Sequence, residues 1–569
     1  MNNKKTSLKT LFNFYKRIKI PWGMAFLVLF LSLAVKEAES RLVPFNTDIM
    51  TAAIDQAGWL AGFVVMTIIY GILEAVQGGI NELTGVITTR NVRHSVWRKM
   101  IHLPMSFYDK RDPQSLISRI TQDTTGAYAA VAASVQLISV LYGIYVNFMR
   151  MYRVYHQLAL IMLSAIPLTI LISFIVGKME YAINKITNES MAANTNFFAE
   201  RLANLTFIKT ANMENKEYLK GIQANNEKYK ADVKKEKIFI FQSPLTSFSM
   251  YFNMIILLIV ASTLVRNGTM KMYQLVSLYN YFMLFMGNAL MLTAVWQGVK
   301  TSHGSCATIA QILDLDDERI EGDISLSHHV EDIQFRNISF SYNDTQDVLK
   351  DISFKIPKGK TTVIVGENGC GKSTITKLLL NFQIPKMGDI YIGDKHFADI
   401  NISEWRNQLG YLSQNSGIIK GSIRENICYG IEREISEEEV IEVTKKAKAY
   451  DFIMSKEQGF DTQISHFDSK LSGGEIQRIA IARILLKKPS YLIMDEATSG
   501  VDILNEEEIL DVIHEIMKDK TIIMISHNIE LIKEADHIIV LNNGMIEAQG
   551  NYQEAYKNSE LLKKFEEDE

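Results

Sequence analysis

Gly366-Glu367-Asn368-Gly369-Cys370-Gly371-Lys372-Ser373-Thr374 matches the pattern G-x-x-x-x-G-K-[ST]. The apolar, β-branched run Thr361-Thr362-Val363-Ile364-Val365 before it reads as a buried strand, and Ser373 through Leu380 reads as the helix that leaves the loop. Glycines at these spacings let backbone amides turn inward around phosphate oxygens. A helix N-terminus adds partial positive charge, and the Lys372 ammonium reaches the outer phosphates. Ser373 puts a hydroxyl where Mg²⁺ sits between phosphates. Taken alone, the stretch also reads as a glycine-rich turn with an exposed lysine, so a second motif has to decide.

At 569 residues the chain exceeds one hydrophobic core, and several domains are expected. A net charge of −4 gives no bulk attraction for nucleic acid. Uncharged apolar stretches crowd the first half, and charges dominate the second. Cys306, Cys370 and Cys428 are too few and too scattered for a disulfide framework or a zinc site. Cys370 lies in the phosphate loop, where a lowered thiol pKa is one reading and a neutral space-filling residue the favoured one.

After a basic tail (Lys4, Lys5, Lys9, Lys16, Arg17, Lys19) the segment 20–35 is apolar. No small-residue cleavage site follows, so it reads as an uncleaved first membrane helix that extends past Lys36. Further spans are expected over 57–80, 126–149, 157–177, 238–265 and 272–299, six in all. The connections 2–3 and 4–5 carry most of the lysine and arginine, among them Arg90, Arg93, Arg98, Arg201, Lys209 and Lys234. Positive charge inside then puts both chain ends and both long connections in the cytoplasm. Those connections hold few Gly or Pro residues and read as spanning helices continued beyond the bilayer.

Glu74 falls about 26 Å along the second helix. There it is either a substrate contact or a headgroup-level residue in an interhelical hydrogen bond. The last span is rich in Met and aromatic residues (Tyr281, Phe282, Phe285, Met286, Met291, Trp296), which suits a promiscuous apolar cavity and equally suits ordinary helix packing.

Residues 301–330 lose the apolar pattern and gain acids. The expected division is a transmembrane domain over 1–310, a linker over 311–330, and a nucleotide-binding domain over 331–569. In that last domain strands and helices alternate, as in a parallel α/β fold with ligands at strand C-termini. Tyr491-Leu492-Ile493-Met494-Asp495-Glu496 is a buried strand that delivers two carboxylates to the sheet edge. Asp495 is placed to orient Mg²⁺ and Glu496 to polarise the attacking water. Between the two motifs, Leu471-Ser472-Gly473-Gly474-Glu475-Ile476-Gln477-Arg478 opens a helix expected over 476–486, a second anion-binding N-terminus. One nucleotide does not easily use two such sites in one domain. The natural solution is a second copy whose Ser-Gly-Gly closes over this phosphate loop.

This set resembles the nucleotide-binding domain of ABC transporters, and with six preceding spans the chain resembles an ABC half-transporter of the bacterial exporter type. The resemblance implies an α-helical six-span transmembrane domain plus an α/β P-loop nucleotide-binding domain. It also implies ATP and Mg²⁺ as cofactors and a multi-pass protein of the cell membrane. In Phe340-Ser341-Tyr342, Tyr342 falls where the family stacks an aromatic on adenine. In Tyr411-Leu412-Ser413-Gln414, Gln414 matches the Q-loop, which senses Mg²⁺. Ser499-Gly500-Val501-Asp502 matches the D-loop, and His527 the switch histidine. The implied catalytic set is Glu496, His527, Gln414 and Lys372, with Ser373, Gln414 and Asp495 toward the metal. Nucleotide contacts are implied for Tyr342, Gly366, Asn368, Gly369, Cys370, Gly371, Lys372, Ser373, Thr374, Ser472, Gly473 and Gly474. Met105-Ser106-Phe107-Tyr108-Asp109 resembles the first coupling helix, and the stretch 205–211 the second, which in this family docks on the partner chain. Two departures stand out. Glu475 replaces the usual glutamine, and His466 stands where the exporters carry a glutamate, which puts the usual charged contact with the coupling helices in doubt.

The expected function is ATP-driven export or flipping of a hydrophobic or amphipathic substrate (drug, lipid or small peptide) by alternating access. The alternative is an ATP-gated membrane sensor or a regulatory subunit of a heterodimeric complex. A soluble, non-transporting ABC ATPase is disfavoured by the six spans. No peptidase domain precedes the first helix, so coupled leader-peptide cleavage is not expected. Partners are a second half-transporter, with a homodimer favoured and a heterodimer open, together with membrane lipid and no nucleic acid.

Overall fold

A computed structural model describes residues 15, 17–51, 57–109, 116–117, 120–121, 124–163, 165–319, 322, 324–326, 330–343, 346–413, 417–465, 471–495, 512 and 520–567. It divides into two compact units. One comprises Met1–His102 and Arg111–Asp316, the other Leu103–Lys110 and Asp317–Glu569.

The first unit is helical: α1 (Trp22–Thr51), α2 (Ala57–Ile101), α3 (Thr124–Val154), α4 (His156–Leu163), α5 (Ala165–Ala203), α6 (Leu205–Thr210), α7 (Glu214–Arg266) and α8 (Met272–Leu313). Among the described residues, Leu60–Ile101, Gly126–Val154, Glu214–Arg266 and Met272–Leu292 are long and apolar enough to cross a membrane. The expected first span lies in α1, and the fourth falls in α4 and α5, on either side of residue 164, which is outside the described residues. At 53 residues α7 far exceeds the roughly 20 that a hydrocarbon core of about 30 Å needs.

α1 does not stop at Lys36. Lys36 pairs with Glu39 at 2.9 Å, while Arg41 and Arg150 hold Glu37 at 2.8 and 2.7 Å. Each of these charges is matched, so the helix continues where single-residue hydropathy ends it. α3 and α8 pack antiparallel: Gly126 meets Cys306, Ala133 meets Gly298, and Gly143 meets Asn288. A Cβ on Gly143 would lie 2.9 Å from Asn288 Oδ1, so a larger residue there would have to turn the Asn288 amide aside. Tyr281, Phe282, Phe285 and Met286 are buried in the core beside Met151 and Leu158, and helix packing accounts for them. Met291 is exposed, as is Glu74.

The second unit carries β1 (Ile333–Phe340), β2 (Leu349–Ile356), β3 (Thr361–Gly366), β4 (Met387–Ile392), β5 (Lys395–His396), β6 (Leu409–Ser413), β7 (Gly421–Ser422), β8 (Gln463–Ile464), β9 (Tyr491–Asp495), β10 (Thr521–Ile525), β11 (His537–Asn542) and β12 (Met545–Gly550). A four-stranded sheet runs β2-β1-β4-β5, and a six-stranded sheet runs β12-β11-β3-β10-β9-β6. Within the larger sheet β11, β3, β10, β9 and β6 are parallel, and β12 is an antiparallel edge. Val363 and Val365 face one core and Ile364 the other, so both faces of β3 are covered. That is why the strand reads as an unbroken apolar run.

The helix after the phosphate loop, α9 (Lys372–Leu379), starts one residue earlier than the sequence pattern suggests. Its C-terminal end is held from α10 (Ile402–Gln408), where the fully buried Trp405 donates Nε1–H to the Leu379 carbonyl at 2.7 Å. Trp405→Phe leaves that carbonyl without its donor in a dry site, so the second unit should lose about 1–3 kcal/mol. The check is a lowered midpoint for this unit in thermal unfolding.

Candidate nucleotide site

Strand register brings the site together. Ile525 of β10 is level with Ile364 of β3 and with Asp495 of β9, and Ser413 of β6 is level with Asp495. The C-terminal edges of four adjacent strands therefore deliver the phosphate loop, His527, Asp495 and Ser413. Asp495 Oδ1 lies 3.5 Å from Ser373 Oγ across the intervening strand.

Glu367, Asn368 and Gly369 form an exposed arc, and Cys370, Gly371 and Lys372 are buried behind it. Gly371 has φ +115°, and a Cβ there would meet the Leu349 side chain at 2.6 Å. Both facts require glycine. Lys372 is buried, with its ammonium donating to the carbonyls of Gly366 at 2.6 Å and Glu367 at 3.1 Å, which fixes the loop's curvature. Burial pushes the Cys370 thiol pKa up, against the opposing pull of Lys372. Cys370 is thus a neutral space-filling group. Thr374 Oγ1 lies 3.3 Å from the Tyr342 hydroxyl, and the Tyr342 ring meets Phe340 edge-on with centroids 5.0 Å apart. His527 follows β10 by two residues, and its ring packs edge-on against Phe565.

The second anion-binding helix, α11 (Gly473–Lys487), begins three residues before the expected Ile476. A capping box explains this: the Ser472 hydroxyl accepts from the Glu475 amide at 3.3 Å, and Glu475 accepts from the Ser472 amide at 2.7 Å. Glu475 also pairs with Lys456 at 3.1 Å. Ser472 and Gly473 are exposed, and no described atom lies within 4 Å of where a Gly473 Cβ would stand.

Residues 22–289 match the family described as ABC transporter transmembrane region, and residues 349–499 the family described as ABC transporter. An ATP-dependent lipid A-core flippase of Photorhabdus laumondii subsp. laumondii is 30% identical over 465 residues, 81% of this chain and 80% of that protein. The chain belongs to the ABC transporter family. A Multidrug resistance ABC transporter ATP-binding and permease protein of Lactococcus lactis subsp. lactis is 29% identical over 494 residues, covering 87% of this chain and 84% of that one. A solved structure, described as a bacterial Atm1-family ABC exporter with ATP bound, superposes with TM-score 0.83 at 24% identity over 96% and 97% of the two chains. This ABC transporter is a multi-pass membrane protein that binds and hydrolyses ATP and drives export with it.

Gln414, His466, Glu496 and Ser499 to Asp502 lie outside the described residues. The sequence reading passed over three side chains that touch named ones: Lys456 on Glu475, Lys377 above the Tyr342 ring, and Gln383 on Asp109. None carries a local signal, because each contact joins separate parts of the chain.

Burial alone raises the Glu475 carboxyl, but the Ser472 amide and the Lys456 ammonium outweigh it, and the net shift is downward from 4.5. A depressed folded-state value stabilises above the unfolded pKa and is lost as pH falls through the folded one. Lys456→Met should therefore lower the unfolding midpoint near neutrality and reduce its loss on acidification below about pH 4.5. Thermal melts of both proteins across that range measure the difference.

Proposed function

We propose that this chain is one half of a two-chain exporter that moves a hydrophobic or amphipathic substrate, a drug, lipid or small peptide, across the cell membrane by alternating access. The observation that carries the reading is one sheet edge where a phosphate loop, the Ser373–Asp495 pair and the strand leading to His527 converge, in a chain whose other unit is built of long apolar helices. The names of the relatives, a multidrug transporter and a lipid A-core flippase, support that substrate class. Lysine-rich connections support six spans with the nucleotide-binding domain (331–569) in the cytoplasm.

The residues fit ATP with Mg²⁺. The arc from Gly366 to Thr374 holds phosphates, Lys372 supplies the positive charge, and Tyr342 stacks the base. Ser373 and Asp495 form the all-oxygen donor set that a hard divalent cation takes, and the family resemblance adds Gln414 to it. When bound, Mg²⁺ neutralises phosphate charge. Glu496 polarises the attacking water, and His527 holds the reacting phosphate end.

A second copy completes the site through Ser472, Gly473 and Gly474. The open space around Gly473 supports this, since nothing described in this chain demands glycine there. The α6 helix buries none of its residues, and Phe207 on it is 73% exposed, which suits docking on a partner's nucleotide-binding domain. A homodimer is favoured because every catalytic motif occurs in this one sequence. ATP drives the cycle by favouring the closed pair of domains over the open one.

The test is reconstitution into lipid vesicles with a fluorescent phospholipid as probe, following ATP-dependent movement between leaflets. Glu496→Gln should still bind ATP and lose about 10²-fold or more in hydrolysis, the scale of a general base. Near-normal turnover would remove Glu496 from that role. Gly473→Ala should leave the unfolding midpoint unchanged or slightly raised, since alanine favours helix. Its ATPase should nevertheless fall about tenfold or more, because the added methyl holds the partner's nucleotide away from backbone amides that alanine itself retains. Unchanged turnover in Gly473→Ala would argue against the two-chain seam.

A further inference from the structure

Within the second unit, the carboxylate of Asp109 joins the segment Leu103–Lys110 to α9 and the turn after it. Asp109 Oδ2 accepts from Gln383 Nε2 at 2.5 Å, and Asp109 Oδ1 lies 3.7 Å from Lys377 Nζ. Both partners belong to the C-terminal end of α9 and the turn after it, where the Lys377 carbonyl accepts from the Phe382 and Gln383 amides at 2.8 and 3.3 Å. A carboxylate at a helix C-terminus meets the negative end of the dipole, so the Lys377 ammonium is what makes this placement favourable.

The same ammonium stands over the Tyr342 ring, 5.1 Å from its centroid. Three contacts then set the ring: the Phe340 edge, the Thr374 hydroxyl and the Lys377 cation. Two of the three come from α9, the helix whose first turn belongs to the phosphate loop. We infer that Lys377 is a positioning residue shared between Tyr342 and Asp109, which couples adenine binding to the seating of the Leu103–Lys110 segment. This rests on the reading of Tyr342 as the base platform.

The physical basis is linkage. A base stacked on one face of Tyr342 favours the ring orientation that Lys377 supports, and Asp109 favours the lysine position that supports the ring. Whatever free energy Asp109 contributes to base binding, base binding returns to the docking of Asp109. The coupling passes through the ring and not through the phosphates, so it is read in affinity for the nucleotide and not in the chemical step.

The test uses the full-length protein in lipid nanodiscs, measuring KM and kcat for ATP. Lys377→Met should raise KM by about 2- to 5-fold, the scale of an exposed cation–π contact, with little change in kcat. Asp109→Asn, which keeps an acceptor for Gln383, should raise KM in the same direction. The double variant should be no worse than Lys377→Met alone, because both act through one ammonium. Lys377→Arg should recover most of the loss, which separates a positioning charge from a folding defect. Independent, multiplying effects of Asp109→Asn and Lys377→Met, or no effect of Asp109→Asn on KM, would overturn the inference. Tyr342→Leu separates the two levels. If it leaves KM for ATP unchanged, the platform reading fails. If it raises KM while Lys377→Met does not, only the shared-lysine inference fails.

Discussion

Backbone hydrogen bonds between β11, β3, β10, β9 and β6 run in parallel register, and the placement of every group at the nucleotide site depends on them. That register is pinned from both faces, because Val363 and Val365 enter one core while Ile364 enters the other. A slip of one residue would exchange the faces and expel each side chain from its layer. The level ends of β3, β10 and β9 follow, and the 3.5 Å separation of Ser373 and Asp495 follows from them. Side chains carry the chemistry here, while main-chain pairing sets where they stand.

α9 turns that register into a site. Eight residues are too few to hold a helix in water, so its contacts determine where it lies. Its first turn closes the phosphate loop and reaches Tyr342 through Thr374, and Lys377 further along stands over the same ring. Trp405 and Arg406 grip its last carbonyls, with Arg406 also fixed by both carboxylate oxygens of Glu318 at 3.0 and 2.6 Å. Glu318 comes from the acidic stretch that follows the helical unit, so the seating of this short helix is tied to the chain's entry into the second unit. A helix anchored at both ends moves as one body, and phosphate loop and base platform move with it.

The phosphate loop, the strand ending at Asp495 and the Ser-Gly-Gly turn were legible because each is a local pattern with local causes. Boundaries were less so. α11 starts at Gly473 and not at Ile476, since the reciprocal bonds of Ser472 and Glu475 begin the helix before its apolar pattern does. The apolar signal of α1 ends at Val35, but the helix runs to Thr51, because its charges are neutralised by Arg150 of α3 as well as by each other. Hydropathy counts charges singly and cannot see a counter-ion from a distant helix. The Asp109 contacts escaped for the same reason. Asp109 stood inside a recognised motif, but its partners Gln383 and Lys377 are set by folding and not by spacing.

What the chain leaves uncovered points the same way as what it assembles. Two kinds of exposure coexist: apolar side chains on long helices, and a short helix, α6, with Phe207 outward between Asn204 and Asn212. Lipid explains the first kind, since α2 shows no buried face over its most apolar stretch. It does not explain the second, because Lys209 within α6 and Glu214 just after it suit water or protein better than hydrocarbon. Gly473 is the complementary case, a position with room and without a side chain to use it. The exposed Phe207 and the open space beside Gly473 are the two features of this chain on which the proposed two-chain arrangement rests.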